Sequence, residues 1–271
     1  MNFDFNLYKT LYFDVRNKTN DEIIEHYKKY GHIEGRIINL PMLRYRVNKL
    51  NKIQEIKNMS LNNLMFENEQ KLINIIIRTS NRPKCFNTNI ISIKDQNYDN
   101  LKLHISYDNS NTKIYISNIL SDKNLNYKLY EVQRKKIPYF YNDYPNQILS
   151  EIKSGYIMFL DDEDMFTHKN ALKYINEYLE MNRYLTWNYL RSDNIIGITN
   201  GQIKSGKVTS CGFCYNSSHK SKWKTESDGD YHFVNDLINN NNLKIAKLDK
   251  ILTTCINKNV IYGEGKCKDI E

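Results

Sequence analysis

Glycine and proline are scarce in this sequence, and the scarcity excludes one kind of nucleotide site. The 271 residues include 10 glycines and 4 prolines. No glycine-rich loop of the GxxxxGKS/T type occurs, so the chain lacks the backbone cradle that holds a triphosphate in P-loop proteins. Asparagine, lysine, isoleucine and tyrosine are abundant instead, a skew typical of an AT-rich genome. Single asparagines and lysines therefore carry little functional weight.

Cysteines are few and widely spaced, which argues against a disulfide-stabilised fold. Their number, five, is odd, so they cannot all pair within the chain. Cys211 and Cys214 have the CxxC spacing and His219 lies near them, but no second pair completes a tetrahedral zinc site. We therefore expect structural free thiols rather than zinc or redox chemistry.

Long apolar runs are also missing. No stretch approaches the length of a membrane span. Residues 1–12 lack the basic region and apolar run of a signal peptide, so we expect a cytoplasmic protein. A hydrophobic fraction of 40% and an aromatic fraction of 12% are those of a globular chain, long enough for one large domain or a domain with a small module.

The net charge of +8 comes from scattered basic residues rather than a dense stripe. Short runs occur at residues 134–136 and 220–224, and no helix-turn-helix, zinc-finger or RNA-recognition motif is present. This distribution favours a solvated surface over a nucleic-acid footprint, so we expect no nucleic-acid partner. The excess charge still favours an anionic substrate.

Residues 1–68 have the pattern of a separate helical module. Thr19 and Glu22 form a capping box that starts one helix, and Gly31 is placed as its left-handed C-cap. A second helix is predicted over residues 42–65, and the polar stretch 67–71 is a plausible hinge. We therefore predict a helical accessory module at 1–68 and a larger domain at 69–271.

Strand and helix patterns alternate after the hinge, which predicts an α/β fold with a largely parallel sheet. Ligands bind such sheets beyond the carboxyl ends of the strands. Strands are predicted at residues 72–77, 101–106, 156–160, 184–190, 195–198 and 208–215. Helices are predicted at residues 88–93, 148–153, 169–181 and 231–239.

The most informative motif is an apolar strand that ends in four consecutive acids, Asp161, Asp162, Glu163 and Asp164. Carboxylates crowded at the end of a buried strand repel one another, and a divalent cation relieves that repulsion. Hard carboxylate oxygens suit Mg²⁺ or Mn²⁺, with substrate phosphates completing the coordination. The motif therefore favours an enzyme that acts on a phosphorylated donor. The alternative is an acidic start to the next helix.

Three further polar clusters follow predicted strands or precede a helix. After the first strand, Arg78, Thr79, Ser80 and Arg82 offer two guanidinium groups and two hydroxyls to a diphosphate or a base, although an ordinary polar loop also has this composition. Asp108 follows the second strand, where it can accept hydrogen bonds from a base or ribose or form a simple turn.

The last cluster, Asp228 and Asp230, precedes the helix at 231–239. A carboxylate there is either a cap or a general base facing an acceptor. His232 is a rival base, and Trp223 can stack on a sugar or pack in the core.

In this order the clusters resemble the inverting family 2 glycosyltransferases of GT-A fold, over about residues 72–250. The stretch GYIMFLDDED is the most specific part of the resemblance. It implies that Asp108 contacts the nucleotide base and that the DxD motif falls on Asp161, Asp162 and Glu163, followed by Asp164. It also implies that Asp230, with Asp228 as its neighbour, is the catalytic base. Tyr107, Asn109 and Glu163 depart from the family pattern.

The resemblance implies transfer of a sugar, with inversion, from a nucleotide-diphosphate sugar to an acceptor hydroxyl. A UDP-sugar donor, a glycan or protein acceptor and Mn²⁺ or Mg²⁺ are the expected partners, with Asp162, Glu163 and Asp164 as metal ligands and Asp161 with Asp162 at the donor. The alternative is a GT-A domain that binds a nucleotide sugar or glycan without turnover. The stretch HYKKYGHIEGR at 26–36 resembles a short helical unit that accompanies some glycosyltransferases. We expect it to pack against the larger domain or to contact an acceptor.

Overall fold

The computed structural model describes residues 3–32, 36–48, 70–191, 194–198 and 201–255. Several predictions fall outside these residues. They are most of the hinge at 67–71, the domain boundary, and residues 49–65 of the helix predicted at 42–65. Residues 33–35 of the HYKKYGHIEGR stretch lie outside them as well. The division into two domains therefore stays a prediction.

In the described residues, strands from both halves of the larger domain join one nine-stranded sheet, in the order β3-β2-β1-β4-β8-β6-β9-β5 with β7 on β6. The strands are β1 (Ile73–Arg78), β2 (Leu101–Tyr107), β3 (Tyr127–Glu131), β4 (Tyr156–Phe159), β5 (Asp164–Phe166), β6 (Arg183–Arg191), β7 (Asn194–Ile196), β8 (Phe213–Asn216) and β9 (Lys244–Cys255).

The two halves of the sheet differ in direction. Strands β3, β2, β1 and β4 are all parallel, as the alternation of strands and helices predicts. Beyond β4 the sheet is mixed, because β8 is antiparallel to both of its neighbours, whereas β6 and β9 are parallel. The expected α/β architecture is confirmed.

The helices cover both faces of this sheet. They are α1 (Phe5–Leu11), α2 (Asn20–His26), α3 (residues 40–48), α4 (Pro83–Lys94), α5 (Ser110–Leu120), α6 (Tyr144–Glu151), α7 (Ala171–Tyr178) and α8 (Gly229–Asn241). Helix α5 and strands β3, β5 and β9 were not predicted. The strand predicted at 208–215 was wrong in its first half, because Ser210–Gly212 form a 3₁₀ turn before β8 begins.

Strand β1 shows how the core forms. Its alternate residues Ile73, Ile75 and Ile77 are buried in one apolar cluster with α4, α5 and α7. The intervening Ile76 belongs to a second cluster with α6 and α8 on the other face. Because successive side chains of a strand point to opposite faces, a continuous apolar run is needed when both faces are covered.

The N-terminal helices pack on the larger domain rather than standing apart from it. Their apolar side chains share one cluster with Met165 of β5, Leu190 of β6 and Ile251 of β9. The predicted capping box is confirmed, because the Glu22 carboxylate accepts from the Thr19 amide at 2.7 Å. Burial of these apolar faces explains why helices this short persist.

Gly31 has a different role from the one predicted. It ends a π-helical turn, Tyr27–Gly31, and is not a left-handed cap. A Cβ at this position would lie 2.4 Å from the Tyr8 hydroxyl oxygen and 2.8 Å from the Tyr27 ring. Close packing against these two rings, not backbone freedom, therefore requires the glycine.

Arg36, the last residue of the HYKKYGHIEGR stretch, contacts residues that precede the stretch in the chain. Arg36 donates to both carboxylate oxygens of Asp14, at 2.9 and 2.8 Å, and lies over the Tyr12 ring at 4.7 Å. The Tyr12 hydroxyl accepts from the Ile37 amide at 2.6 Å. These contacts hold the stretch against the N-terminal helices.

Two expectations about composition can be compared with the described residues. Cys85, Cys211, Cys214 and Cys255 are free thiols, and Cys211 and Cys214 are buried. None of the helices in the described part of the chain combines the length and the apolar character that a membrane crossing requires.

Candidate active site

The carboxyl ends of β1, β2 and β4 open into one cavity of about 1100 Å³, together with the start of α8. This is the edge at which parallel sheets bind ligands. The cavity brings together nearly all the side chains predicted for the site: Arg78, Thr79, Ser80, Arg82, Asp108, Asp161, Glu163, Asp164, Asp228 and Asp230. Asp162 does not line it.

Arg78 and Asp161 form a bidentate ion pair between the ends of β1 and β4. Arg78 Nε donates to Asp161 Oδ1 at 2.7 Å, and its Nη2 donates to Asp161 Oδ2. Burial acts to raise the pKa of Asp161, but the charge and hydrogen bonds of Arg78 hold it below its ordinary value. Asp161 is therefore a fixed, ionised carboxylate at neutral pH.

Arg82 joins the next two acids. Its Nη2 lies 2.5 Å from Asp162 Oδ1, and its Nη1 donates to Glu163 Oε2 at 3.1 Å. Asp162 is fully buried, and burial raises its pKa to about 7 against the opposing charge of Arg82. Arginines thus relieve much of the repulsion for which the sequence suggested a cation.

Asn89 of α4 forms hydrogen bonds to the backbone of the turn that carries the four acids. Its Nδ2 donates to the carbonyl oxygens of Leu160, Asp161 and Asp164, at 3.1, 2.9 and 2.8 Å. Asn89 is fully buried, so these bonds are made without competition from water. Sequence reasoning missed this residue, because an asparagine inside a helix carries no local signal of a long-range partner.

Asp164 differs from the three acids before it. The other three acids each have an arginine at salt-bridge distance, whereas Asp164 has none among the described residues. Burial, with the charges of Asp161 and Glu163, raises its pKa well above the ordinary value. A cation beside it would relieve that unfavourable charge.

Two carboxylates of the acidic cluster match the ligands of a divalent ion. Mg²⁺ commonly takes one or two carboxylates and completes its shell with substrate phosphates. Glu163, which also accepts from Arg82, and Asp164 both line the cavity and match that donor set, whereas Asp162 does not line the cavity. Among the described residues, no three His, Cys, Asp or Glu side chains form a ready metal site.

Asp108 is fixed at the end of β2 by three neighbours. Ser80 and Asn109 donate to its Oδ1 at 2.7 and 2.8 Å, and the Tyr144 hydroxyl donates to its Oδ2 at 3.1 Å. Asn109 also caps α5, since its Oδ1 accepts from the Thr112 amide. The carboxylate is thus preorganised on the cavity wall beside the loop after β1.

The acid at the start of α8 connects to this network through Ser210. The Ser210 amide donates to Asp230 Oδ2 at 3.2 Å, and its hydroxyl donates to Asp161 Oδ2 at 3.1 Å. Burial raises the pKa of Asp230 to about 6, with Arg78 opposing and Asp161 adding to the shift. A carboxylate with such a pKa is suited to take a proton near neutral pH.

Asp228 is more exposed and has a left-handed backbone, with φ of +53°. It accepts from the Ser205 hydroxyl at 2.7 Å. His232 is half-exposed, lies 3.9 Å from Glu226 and does not line the cavity. Of the three, Asp230 is the residue that lines the cavity and has its pKa raised by burial.

Trp223 packs in the core, which settles its two alternatives in favour of packing. It is 2% exposed and stacks on Phe233 at a centroid distance of 4.8 Å. The Arg78 guanidinium lies 5.3 Å from its ring. The tryptophan ring therefore makes a cation–π contact with Arg78.

The comparisons with known proteins rest on structure. No family model and no curated protein matches the chain. Residues 1–349 of S. aureus TarS superpose with a TM-score of 0.56 at 17% identity, over 68% of this chain and 60% of that one. The same fragment in complex with UDP-GlcNAc gives a TM-score of 0.53 at 16% identity, over 68% and 58%.

A second similar structure comes from another organism. The mannosyltransferase PcManGT from Pyrobaculum calidifontis, in complex with GDP-Man and Mn²⁺, has a TM-score of 0.52 at 9% identity, over 80% of this chain and 66% of that one. The chain has a GT-A glycosyltransferase fold. This confirms the resemblance drawn from the sequence at the level of the fold. The chain spans about 60% of the length of the TarS fragment.

Proposed function

We propose that this protein transfers a sugar from a nucleotide-diphosphate sugar to an acceptor hydroxyl. The observation that carries the proposal is the convergence of four separate polar clusters on one cavity at the carboxyl edge of the sheet. TarS was solved with UDP-GlcNAc and PcManGT with GDP-Man, which supports a nucleotide sugar as the ligand of this fold.

The donor side of the cavity consists of the loops after β1, β2 and β4. Asp108, held by Ser80 and Tyr144, offers carboxylate oxygens to the base or ribose of the nucleotide. Thr79 and Ser80 place hydroxyls beside the arginines of the same loop. A UDP-sugar is the donor we propose, since a UDP-sugar occupies TarS.

Glu163 and Asp164 would hold Mn²⁺ or Mg²⁺ here, and PcManGT was solved with Mn²⁺. When bound, such an ion neutralises charge on the leaving diphosphate. The chain itself contributes Arg78 and Arg82, whose guanidinium groups keep Asp161 and Asp162 from repelling an anionic substrate.

Asp230 is the general base in this proposal. The acceptor hydroxyl gives its proton to the Asp230 carboxylate as its oxygen bonds to the anomeric carbon. The bond from that carbon to the diphosphate breaks on the opposite face, and the nucleoside diphosphate leaves, so the configuration inverts. A positioned base is worth about 10² to 10⁴ in rate.

A second candidate is a domain of the same fold that binds a nucleotide sugar without turnover. The arginine partners of Asp161 and Glu163 favour it, because both acids already have counter-ions. The two functions differ in what happens to a bound donor: only the transferase breaks its glycosyl bond.

The deciding experiment has a binding arm and a turnover arm. Melting temperatures are measured with UDP-, GDP- and other nucleotide sugars, each with Mn²⁺, Mg²⁺ or EDTA. A donor at 100 times its Kd stabilises the fold by about 2.7 kcal/mol. Release of free nucleoside diphosphate from the donor that binds supports the transferase, whereas binding without release supports the second candidate. If no nucleotide sugar shifts the melting temperature, both are wrong.

A further inference from the structure

Aromatic side chains gather on one part of the cavity wall. Tyr139, Phe140 and Tyr141 lie in the segment between β3 and α6, and Tyr231 lies in the first turn of α8. All four are partly exposed where they line the cavity, whereas Trp223 is buried. Apolar surface that is clustered and lines a cavity is a common mark of a ligand-binding site.

The turn that carries three of these rings is bonded to the start of α8. Asn142 Nδ2 donates to the Glu226 carbonyl oxygen at 3.1 Å. A Cβ on Gly229 would lie 2.4 Å from that same nitrogen, so the two segments pack directly against each other. Tyr139 and Tyr141 therefore border the segment that presents Asp230.

Phe140 belongs to the donor side instead. Its ring lies 5.8 Å from that of Tyr144, whose hydroxyl donates to Asp108, and the Arg134 guanidinium lies 5.0 Å from it. The other rings that line the cavity are Tyr139, Tyr141 and Tyr231, which we call the tyrosine wall. Tyr141 lies at its donor end, because the Arg78 guanidinium is 5.9 Å from its ring.

Tyr139 is held in an unusual conformation. Its φ of +54° and ψ of +26° are left-handed, a region that a bulky side chain rarely adopts. The Tyr139 carbonyl oxygen accepts from the Asn142 amide at 3.0 Å, which keeps the turn closed. Backbone strain of this kind clusters at ligand clamps and active sites.

We propose that the tyrosine wall binds a sugar ring of the acceptor, so that the acceptor is a glycan rather than a bare polypeptide. A pyranose has an apolar C–H face, which an aromatic ring covers, and a rim of hydroxyls, which carboxylates accept from. Aromatic faces beside Asp228 and Asp230 provide both. A serine or threonine side chain of a peptide offers no such face. That the bound sugar is an acceptor rests on the proposed function. That the cavity binds a sugar rests on the residues that line it.

The test pairs binding with turnover. Saturation-transfer NMR measures binding of a panel of methyl and oligomeric hexosides to the whole chain, with serine- and threonine-containing peptides as the counter-panel. Transfer to the same panels is then measured with the donor identified by thermal shift. Tyr139→Ala and Tyr231→Ala remove ring faces, Tyr139→Phe and Tyr231→Phe keep them, and Tyr178→Ala removes an exposed tyrosine of α7 that does not line the cavity.

We expect glycosides to bind and the two alanine variants to raise the acceptor Kd or KM by about 3- to 10-fold, the effect of one lost ring contact. The phenylalanine variants and Tyr178→Ala are expected to stay within twofold, and the donor KM is expected to be unchanged. Glycoside binding that depends on Tyr139 in a protein that binds no nucleotide sugar would uphold the tyrosine wall and remove the transferase. Selective use of peptides, a rise in the donor KM instead, or no effect of either alanine variant on glycosides would overturn the inference.

Discussion

The two sides of the cavity are built on different principles. On the donor side, Asp161, Asp162 and Glu163 each have an arginine partner, and Asp108 accepts from three neighbours. At the start of α8, Asp230 accepts from one backbone amide and has its pKa raised to about 6 by burial. Asp161, whose pKa Arg78 holds below its ordinary value, stays ionised and fixed in place, whereas Asp230, with fewer partners, is available to exchange a proton near neutral pH.

This difference suggests how one fold separates binding from chemistry. The donor side is preorganised before any ligand arrives, since its side chains are already held by short hydrogen bonds. Left-handed backbones occur on both sides, at Asn81 of the loop after β1 and at Tyr139 and Asp228, but only Tyr139 has a bulky side chain that disfavours this conformation. Natural sites commonly give up some stability in this way.

The largest effect should follow from removing the carboxylate of α8. Asp230→Asn keeps the shape of the side chain but cannot take a proton, so transfer is expected to fall by about 10² to 10⁴ while donor binding by thermal shift is unchanged. Asp236→Asn on the same helix, where Asp236 pairs with Lys224 at 2.9 Å, is the matched control and should keep full activity. Full activity of Asp230→Asn would remove this residue from the mechanism.

Breaking the donor side should damage stability instead. Arg78→Ala leaves Asp161 buried without its counter-ion, which typically costs about 3 to 5 kcal/mol of unfolding free energy. Arg183→Ala is the control, because its pairing with Glu180 lies at the surface and is worth about 0 to 1 kcal/mol. Equal urea midpoints for the two variants would show that the ion pair does not hold the donor side together.

A third expectation concerns pH. Because the base must be ionised, kcat/KM should fall about tenfold for each pH unit below 6, where an ordinary aspartate would remain active to about 4. The fold should persist over this window. The folded-state pKa of Asp230 lies above its unfolded value, so its protonation between pH 6 and 4 favours the folded state. Melting temperatures across the same range provide the check, and an acid limb near 4 would contradict the assignment.

The smallest effect is expected at Asp228. Asparagine tolerates the left-handed backbone as well as aspartate does, so Asp228→Asn should leave the turn intact. We expect transfer to fall by less than about tenfold, well short of the loss for a general base. If Asp228→Asn is the more damaging of the two substitutions, measured side by side, the roles of the two acids are reversed.

The parallel half of the fold was predictable because its signals are local. Apolar runs such as Ile73–Ile77 mark strands buried on both faces, and polar residues directly after them mark the ligand-binding edge. The mixed half was less predictable. Strand β9 carries exposed lysines among its apolar residues, and β8 joins the sheet antiparallel after a 3₁₀ turn, neither of which periodicity reveals.

Partner residues within the site were the least predictable feature. Ser210 connects Asp161 to Asp230, and Asn142 connects Arg78 to the segment before α8, with Arg78 Nη1 donating to Asn142 Oδ1 at 3.4 Å. Each contact spans a long stretch of chain and involves a common polar residue. Such residues are recognised only after the backbone has placed them.

The sequence by itself determined the alternation of strands and helices, the polar loops at the carboxyl ends of the strands and the four acids after β4, because each depends on a few neighbouring residues. The tertiary structure alone decided which of those acids would meet an arginine, which would face the cavity, and that tyrosines from two distant segments would line the same cavity. Charges and rings far apart in the chain act on one another only when packing brings them within a few ångströms, and local patterns do not specify that packing.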